Sequence, residues 1–308
     1  ATTETQNIRN IALVGHEGAG KTILAEAFLN KAGVTTRMGT IKEGNTASDF
    51  DPDEKDSQKS FSCSTISFSH KGKIFNLLDV PGSPDCVGET LTALRAVECA
   101  LICVDATSGV KVNTRRIWKE AEALGLPCCF AVTRLDAENT SFEKTLVDIV
   151  EQFGDRCIPV LFPDASSDAF RRVYPVIQPP DNAPDAVKSL HENLIEAVVE
   201  ADDALMEKYL EGEPVSQDVL SKTFTQAMVQ RVLFPVLAVA AEPQIGVAEA
   251  LDFLGGPTPD PNALTRRVRQ GEEEVDLDPD NGFVGFVYKT TADEFVTRIS
   301  YVRIFSGT

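Results

Sequence analysis

Short apolar runs alternate along the chain with longer segments whose apolar residues recur every three or four positions. The apolar runs cover residues 11–14, 99–104, 127–133, 158–162 and 234–239. Helical periodicity follows Lys21 and returns at residues 87–97, 113–124, 142–153, 186–210, 216–232 and 247–254. Buried strands separated by amphipathic helices are typical of a parallel sheet covered on both faces. The pattern therefore predicts an α/β fold with a mainly parallel, doubly wound sheet.

Two stretches in the first third of the chain depart from this alternation. Residues 61–69 and 73–78 are strand-like runs joined by a turn at Gly72, which predicts an antiparallel hairpin. Residues 33–60 are polar and show no period, so we expect a long mobile loop. Such a loop is either a segment that a bound terminal phosphate orders or an insertion without a switching role.

The last part of the chain changes period from 3.6 to two. A linker at residues 257–265, which starts with three prolines in five residues and follows Gly255-Gly256, separates a first domain, residues 1–256, from residues 266–308. The first domain contains an inserted region at about residues 157–232, with a Pro-rich start. The end of the chain predicts the start of a β-barrel domain, which we expect to be cut short. Alternation places four residues on one face of its last strand: Phe295, Ile299, Tyr301 and Phe305.

A glycine-rich segment carries the strongest chemical signal. Residues 15–22 read Gly-His-Glu-Gly-Ala-Gly-Lys-Thr, between an apolar strand and a helical segment. This is the context of a phosphate loop, in which backbone N–H groups turn inward around a polyphosphate. Lys21 would contact the outer phosphates, and the Thr22 hydroxyl would bind Mg²⁺. A glycine-rich turn without chemistry is the alternative, which the flanking strand and helix disfavour.

Three further groups follow predicted strands at the same edge of the sheet. Asp79 would hold Mg²⁺ through water, and the N–H of Gly82 would contact a γ-phosphate. Asp136 would accept hydrogen bonds from N1–H and the 2-amino group of guanine, whereas adenine would leave this carboxylate unpaired. This favours GTP and GDP over ATP, although Asp136 is equally suited to capping a helix. Small residues at Ala240 and Ala241 would let backbone N–H groups approach the base.

Composition narrows the class of protein. The formal charge of −18 argues against a protein that coats nucleic acid. Seven cysteines without a CxxC pair predict reduced core residues and a cytoplasmic location, with a zinc site as the alternative. The longest apolar run, residues 232–241, contains Pro235 and is too short for a membrane span, and residues 1–10 lack the apolar segment of a signal peptide. We expect no membrane association and no sequence-specific DNA binding.

Four landmarks, at residues 15–22, 79–82, 133–136 and 238–241, together resemble the guanine-nucleotide domain of the translational GTPases, and the match is closest to elongation factor G. Residues 194–213 resemble the long helix after the inserted subdomain of that factor, and residues 301–307 resemble the opening of its second, β-barrel domain. The resemblance implies a P-loop NTPase domain that binds GTP or GDP with Mg²⁺, hydrolyses GTP and has the ribosome as its partner.

The resemblance assigns roles to individual positions. Catalysis would involve Lys21, Gly82 and Ser83, and the metal would be bound by Thr22, Ser62 and Asp79. The nucleotide would be bound by Gly15, His16, Glu17, Gly18, Ala19, Gly20, Lys21, Thr22, Asp79, Gly82, Thr133, Arg134, Asp136, Ala240 and Ala241.

Three positions depart from the family pattern. Ser62 stands near the place of the threonine that closes over the metal, and Thr133-Arg134 replaces Asn-Lys in the base-recognition motif. Ser83 replaces the histidine that positions the attacking water. These departures favour a paralogue of elongation factor G that hydrolyses GTP slowly. The alternatives are a GTP-state-dependent binding module with little or no hydrolysis and an unrelated ATP-using phosphate-loop enzyme.

Overall fold

The computed structural model describes residues 4–213, 215–270, 273–277, 282–293 and 297–307. Its strands are β1 (Ile8–Gly15), β2 (Ser64–His70), β3 (Lys73–Asp79), β4 (Cys99–Asp105), β5 (Cys128–Thr133), β6 (Cys157–Pro163), β7 (Val173–Pro175), β8 (Phe234–Ala238), β9 (Arg267–Gln270), β10 (Glu273–Asp276), β11 (Val284–Asp293) and β12 (Thr297–Ser306). Its α-helices are α1 (Lys21–Lys31), α2 (Pro52–Ser57), α3 (Val87–Ala96), α4 (Val112–Ala123), α5 (Phe142–Phe153), α6 (Asp185–Val199), α7 (Asp203–Leu210), α8 (Gln217–Val229) and α9 (Val247–Gly255). None of the described helices is long and apolar enough to cross a membrane.

The predicted doubly wound sheet is confirmed. The described strands β1 to β8 form one sheet in the order β2-β3-β1-β4-β5-β8-β6-β7. The six central strands pair in parallel, and β2 and β7 pair antiparallel at the two edges. Strand β8, the last of the sheet in sequence, lies between β5 and β6. Because the carboxyl ends of β1, β3, β4, β5 and β8 share one edge, the segments that follow them converge there.

An aromatic cluster fills the core near the middle of the sheet. Trp118 of α4 lies 5.6 Å from the ring of Phe130, 4.9 Å from that of Phe153 and 4.7 Å from that of Phe234. These residues join α4 and α5 to β5 and β8.

The cysteines are unpaired thiols, and all are buried except Cys86, which is half-buried. Among the described residues, no cluster of His, Cys, Asp or Glu is arranged to hold a metal ion.

The helix expected at residues 186–210 is two helices, so that prediction was wrong in its length. Helix α6 ends at Val199, and α7 begins after Asp202, whose carboxylate accepts a hydrogen bond from the N–H of Leu205 at 3.0 Å. An aspartate in extended conformation that caps the next helix starts a new helix rather than continuing the old one. Neither glycine nor proline marks this break in the sequence.

The loop at residues 33–60 has more structure than its composition indicates. It contains helix α2, capped by Asp51 and begun by Pro52. Two buried carboxylates hold its two halves. Glu26 of α1 accepts hydrogen bonds from backbone N–H groups of the first half, and Glu54 accepts from those of Phe61 and Ser62 after the loop. These bonds connect the loop to helix α1 and to the segment that leads into β2.

The described strands after residue 266 form two antiparallel pairs, β9 with β10 and β11 with β12, consistent with the start of a barrel. Tyr301 and Phe305 lie on one face of β12, whereas Ile299 is exposed and Phe295 lies outside the described residues. The rings of Phe286 and Phe305 stack 6.4 Å apart.

One buried carboxylate connects these strands to the sheet. Glu98 has no exposed surface, and its Oε1 accepts hydrogen bonds from Arg266 at 2.9 Å and from Arg303 at 2.8 Å. Its Oε2 accepts from Asn10 of β1 at 2.7 Å. The pairing satisfies a buried charge that would otherwise be costly.

Candidate functional site

The turn between β1 and α1 forms a backbone nest. Gly15, Gly18 and Gly20 have φ of +150°, +77° and +78°, and a Cβ on Gly15 would lie 2.5 Å from the carbonyl oxygen of Cys103. The N–H groups of Gly18 and Gly20 donate to no described protein acceptor. The first N–H groups of α1 also lack partners within the helix, as at every helix N-terminus. These converging donors are suited to an anion.

Lys21 lies under this nest with a buried side chain. Its Nζ donates to the carbonyl oxygens of Gly15 at 3.3 Å and His16 at 3.0 Å. Burial lowers the pKa of Lys21, and the carboxylate of Asp79 raises it. Two neutral carbonyl groups only partly balance a buried ammonium, so its charge can attract a phosphate.

The metal-binding residues predicted at the ends of α1 and β3 lie together. The Thr22 hydroxyl donates to Oδ2 of Asp79 at 2.7 Å. Oδ1 of Asp79 is buried without a hydrogen bond of regular geometry among the described residues. Burial raises the pKa of this carboxyl to about 6, against the opposing effects of Lys21 and of the hydrogen bond from Thr22. A hydroxyl and a buried carboxylate are hard oxygen donors, so these residues fit Mg²⁺.

Asp79 makes the free energy of unfolding of the ligand-free chain depend on pH in a defined direction. Its pKa is about 6 in the folded chain and 3.8 ordinarily, so between these values the folded chain holds a proton that the unfolded chain has released. The free energy of unfolding therefore falls as pH rises through this window. We expect it to fall relative to that of the Asp79→Asn variant, in urea denaturation between pH 4 and pH 7. A difference that stays constant over this range would contradict the prediction.

Gly82 and Ser83 lie beside the phosphate loop. A Cβ on Gly82 would lie 2.6 Å from both the backbone nitrogen of Glu17 and Nζ of Lys21, so only glycine fits here. The N–H of Gly82 donates to no acceptor in the described part of the chain. Ser83 caps the short 3₁₀ helix that follows, and its hydroxyl accepts from the N–H of Asp85 at 3.4 Å. Across the nest, Glu17 pairs with Lys59 of the loop before β2 at 2.7 Å.

The predicted base-recognition segment follows β5. The hydroxyl of Thr133 is buried and donates to the carbonyl oxygen of Ala19 at 2.9 Å, which ties the end of β5 to the phosphate loop. Arg134 has a φ of +57°, and its guanidinium pairs with Asp105 at 3.0 Å. The side chain of Thr133 therefore has a role in joining segments, while Arg134 is exposed at the edge of the site.

Asp136 is exposed and makes no hydrogen bond or ion pair with any described residue. The helix that follows, α5, is capped instead by Ser141, whose hydroxyl accepts from the N–H of Lys144 at 3.2 Å. The alternative role of Asp136 as a helix cap is therefore wrong. Its carboxylate is open to a ligand.

The two alanines after β8 differ in their surroundings. The N–H of Ala240 donates to the carbonyl oxygen of Ile245 at 2.9 Å, and the side chain of Ala240 is fully buried. Ala241 instead lines the cavity described below. Of the two, Ala241 is therefore the one whose backbone N–H donates to no acceptor among the described residues, because the N–H of Ala240 is already used.

A cavity of about 660 Å³ joins these groups. The predicted site residues that line this cavity are Glu17, Gly18, Gly20, Lys21, Thr22, Gly82, Ser83, Thr133, Arg134, Asp136 and Ala241. Lys21 and Asp136 therefore open into one space. The other residues predicted to bind the nucleotide are not part of its lining: Gly15, His16, Ala19, Asp79 and Ala240.

Ser62, predicted as a metal ligand, lies outside the lining. Its hydroxyl accepts a hydrogen bond from Lys289 of β11 at 3.3 Å. Asp49 and Ser60 line the cavity instead, and the Ser60 hydroxyl donates to Asp49 at 2.7 Å. Asp49 belongs to an acidic run that reads as a solvated loop, so no signal in the sequence distinguishes it.

A phosphate nest, a lysine, a threonine paired with a buried aspartate and a cavity at the carboxyl edge of a parallel sheet define a P-loop nucleotide-binding protein. The family model of the Elongation factor Tu GTP binding domain matches residues 6–260. The chain belongs to this family.

Similar proteins extend over nearly the whole chain. It is 34% identical to an elongation factor G-like protein of Mycobacterium tuberculosis, over 98% of this chain and 44% of the relative. It is 27% identical to elongation factor G of Mycoplasma genitalium, over 99% of this chain and 48% of the relative. A crystal structure of a protein from Thermus thermophilus superposes with a TM-score of 0.86 at 32% identity, over 98% of this chain and 46% of that one. The chain thus spans less than half the length of these relatives.

Proposed function

We propose that the chain binds GTP and GDP with Mg²⁺ and hydrolyses GTP to GDP and phosphate, in connection with the ribosome, as part of a translation factor of the elongation factor G type. Membership in the family supports the reaction class. The observation that carries the choice of nucleotide is the cavity lined by both Lys21 and Asp136, whose carboxylate has no hydrogen-bond partner in the part of the chain that the structure describes. We expect this protein to act in the cytoplasm, as its similarity to elongation factors suggests.

Different residues of the site bind the phosphates, the metal, the base and the attacking water. The nest and Lys21 bind the β- and γ-phosphates, and the N–H of Gly82 stabilises the terminal phosphate as its charge redistributes. Thr22 and Asp79 would hold Mg²⁺, which neutralises phosphate charge when bound. Asp136, Ala241 and Arg134 surround the base. Water must attack the γ-phosphate in line, and Ser83 occupies the sequence position of the family's histidine.

Single-turnover hydrolysis of GTP, with and without ribosomes, tests the proposal. We expect slow hydrolysis by the isolated chain, because a serine hydroxyl is several ångströms shorter than an imidazole and orients water poorly. Stimulation by ribosomes is expected for the full-length protein. Tight GTP binding without hydrolysis in either condition would favour a binding module controlled by nucleotide state, which the serine at position 83 also suits.

Replacing Ser83 by histidine separates these outcomes. We expect the Ser83→His variant of the full-length protein to hydrolyse GTP on ribosomes about tenfold faster, since the imidazole can orient the attacking water. The variant also loses the hydroxyl that accepts from the N–H of Asp85, so Ser83→Ala serves as the control for that loss. If the unaltered protein matches the histidine variant in single-turnover rate, Ser83 does not limit hydrolysis.

A further inference from the structure

The first turn of helix α4 contacts the turn at residues 79–82, Asp-Val-Pro-Gly, through a buried amide. Asn113 is 7% exposed, and its Nδ2 donates to the carbonyl oxygen of Gly82 at 2.9 Å. Because a carbonyl oxygen can only accept, the side-chain atom facing Gly82 must be the amide nitrogen. This is a hydrogen bond between segments 31 positions apart in sequence.

Asn113 is itself held by the structure around it. The N–H of Val110, just before α4, donates to Asp148 of α5 at 2.6 Å. The N–H of Lys111 donates to the hydroxyl of Thr114, which is 1% exposed. The start of α4 therefore does not depend on Gly82 for its position, and Asn113 can act as a fixed donor.

Gly82 is the residue at which such a restraint matters. Glycine has more backbone freedom than any other residue, so the direction of its peptide groups has to be set from outside. Its N–H has no described protein acceptor, and the residue packs so closely against the nest that a Cβ on it would lie 2.6 Å from Nζ of Lys21. A γ-phosphate bound by Lys21 would meet this N–H, whereas GDP has no group to reach it.

We infer that Asn113 is a positioning residue, which orients Gly82 toward the terminal phosphate of GTP and thereby makes the cavity discriminate GTP from GDP. The inference rests on the proposed function. Asn113 does not touch the nucleotide; it acts through the carbonyl group of Gly82. Loss of the amide donor should therefore weaken binding of the triphosphate alone.

The test is the affinity of the chain for GDP and for a non-hydrolysable GTP analogue, measured by calorimetry at pH 8 with Mg²⁺. We expect Asn113→Ala to bind the analogue about tenfold more weakly, the usual effect of one buried hydrogen bond, with GDP affinity unchanged. Asn113→Asp keeps the shape but presents a carboxylate to the carbonyl oxygen, so it should be weaker still for the analogue. Asn10→Ala, which removes a buried amide far from the cavity, should leave the ratio of affinities unchanged.

The outcomes are distinct. Equal losses for GDP and the analogue, or no loss for either, would show that Asn113 has no positioning role, while guanine nucleotide binding by the unaltered chain stands. An unaltered chain that binds neither nucleotide would overturn the proposed function and this inference with it. Retained GDP affinity also shows that each variant is folded.

Discussion

The unaltered chain is expected to bind GTP about 10⁴-fold more tightly than ATP, and the Asp136→Asn variant should lose about two orders of magnitude of this preference. The carboxylate of Asp136 can accept from both N1–H and the 2-amino group of guanine, whereas an amide can accept through one oxygen only. With adenine the carboxylate would be desolvated without a donor, which is the source of the discrimination. Calorimetric titration with the two nucleotides measures the ratio directly.

The matched control is Asp85→Asn. Asp85 lines the same cavity at the phosphate end, so this change removes one negative charge from the cavity without touching the base. It should alter both affinities alike and leave their ratio unchanged. Comparable affinities of the unaltered chain for ATP and GTP would remove the assignment of Asp136 to base recognition.

The Lys21→Ala variant should bind GTP about 10³-fold more weakly. Among the described residues the buried ammonium donates to two carbonyl oxygens, and a phosphate would give it charge-assisted hydrogen bonds that backbone N–H groups alone cannot replace. The effect should be larger for GTP than for GDP because Lys21 contacts the outer phosphates. Equilibrium binding of both nucleotides, with Mg²⁺ present, gives the two values.

Lys59 provides a lysine in the same cavity for comparison. It is more than half exposed and pairs with Glu17 at the surface, so Lys59→Ala should change GTP affinity only slightly. Near-normal GTP binding by the Lys21 variant would contradict the phosphate-loop assignment. Equal effects of both substitutions would indicate long-range attraction of charge rather than specific contact.

The sheet was predictable because its signal is local. Apolar runs of strand length, each followed by a helical period, determine both the class and most of the element bounds. The order of strands is not a local property, which is why the position of β8 between β5 and β6 could not be read from the chain. The break before α7 also escaped prediction, since it depends on one capping aspartate rather than on glycine or proline.

The candidate site likewise has a part with a local sequence signal and a part without one. Its phosphate loop was predictable because a nest of successive N–H groups has to be built from consecutive residues, which leaves a motif. Asn113 contacts Gly82 and Asp49 lines the cavity from other segments, and an asparagine at a helix start or an aspartate in an acidic loop has no distinctive pattern. The N–H of Ala240 is used within the protein, a fact that small side chains alone do not reveal.

Glu98 bears on where the chain can be divided. The linker at residues 257–265 suggests that the chain can be cut after residue 256 to give an isolated nucleotide-binding domain for biophysical work. Such a cut removes both arginines that neutralise a carboxylate with no exposed surface. Asn10 would remain as the only described donor to that charge. A cut at the linker that composition predicts therefore separates Glu98 from the arginines that pair with it. A shortened protein for nucleotide titrations has to include Arg303 or carry a neutral residue in place of Glu98.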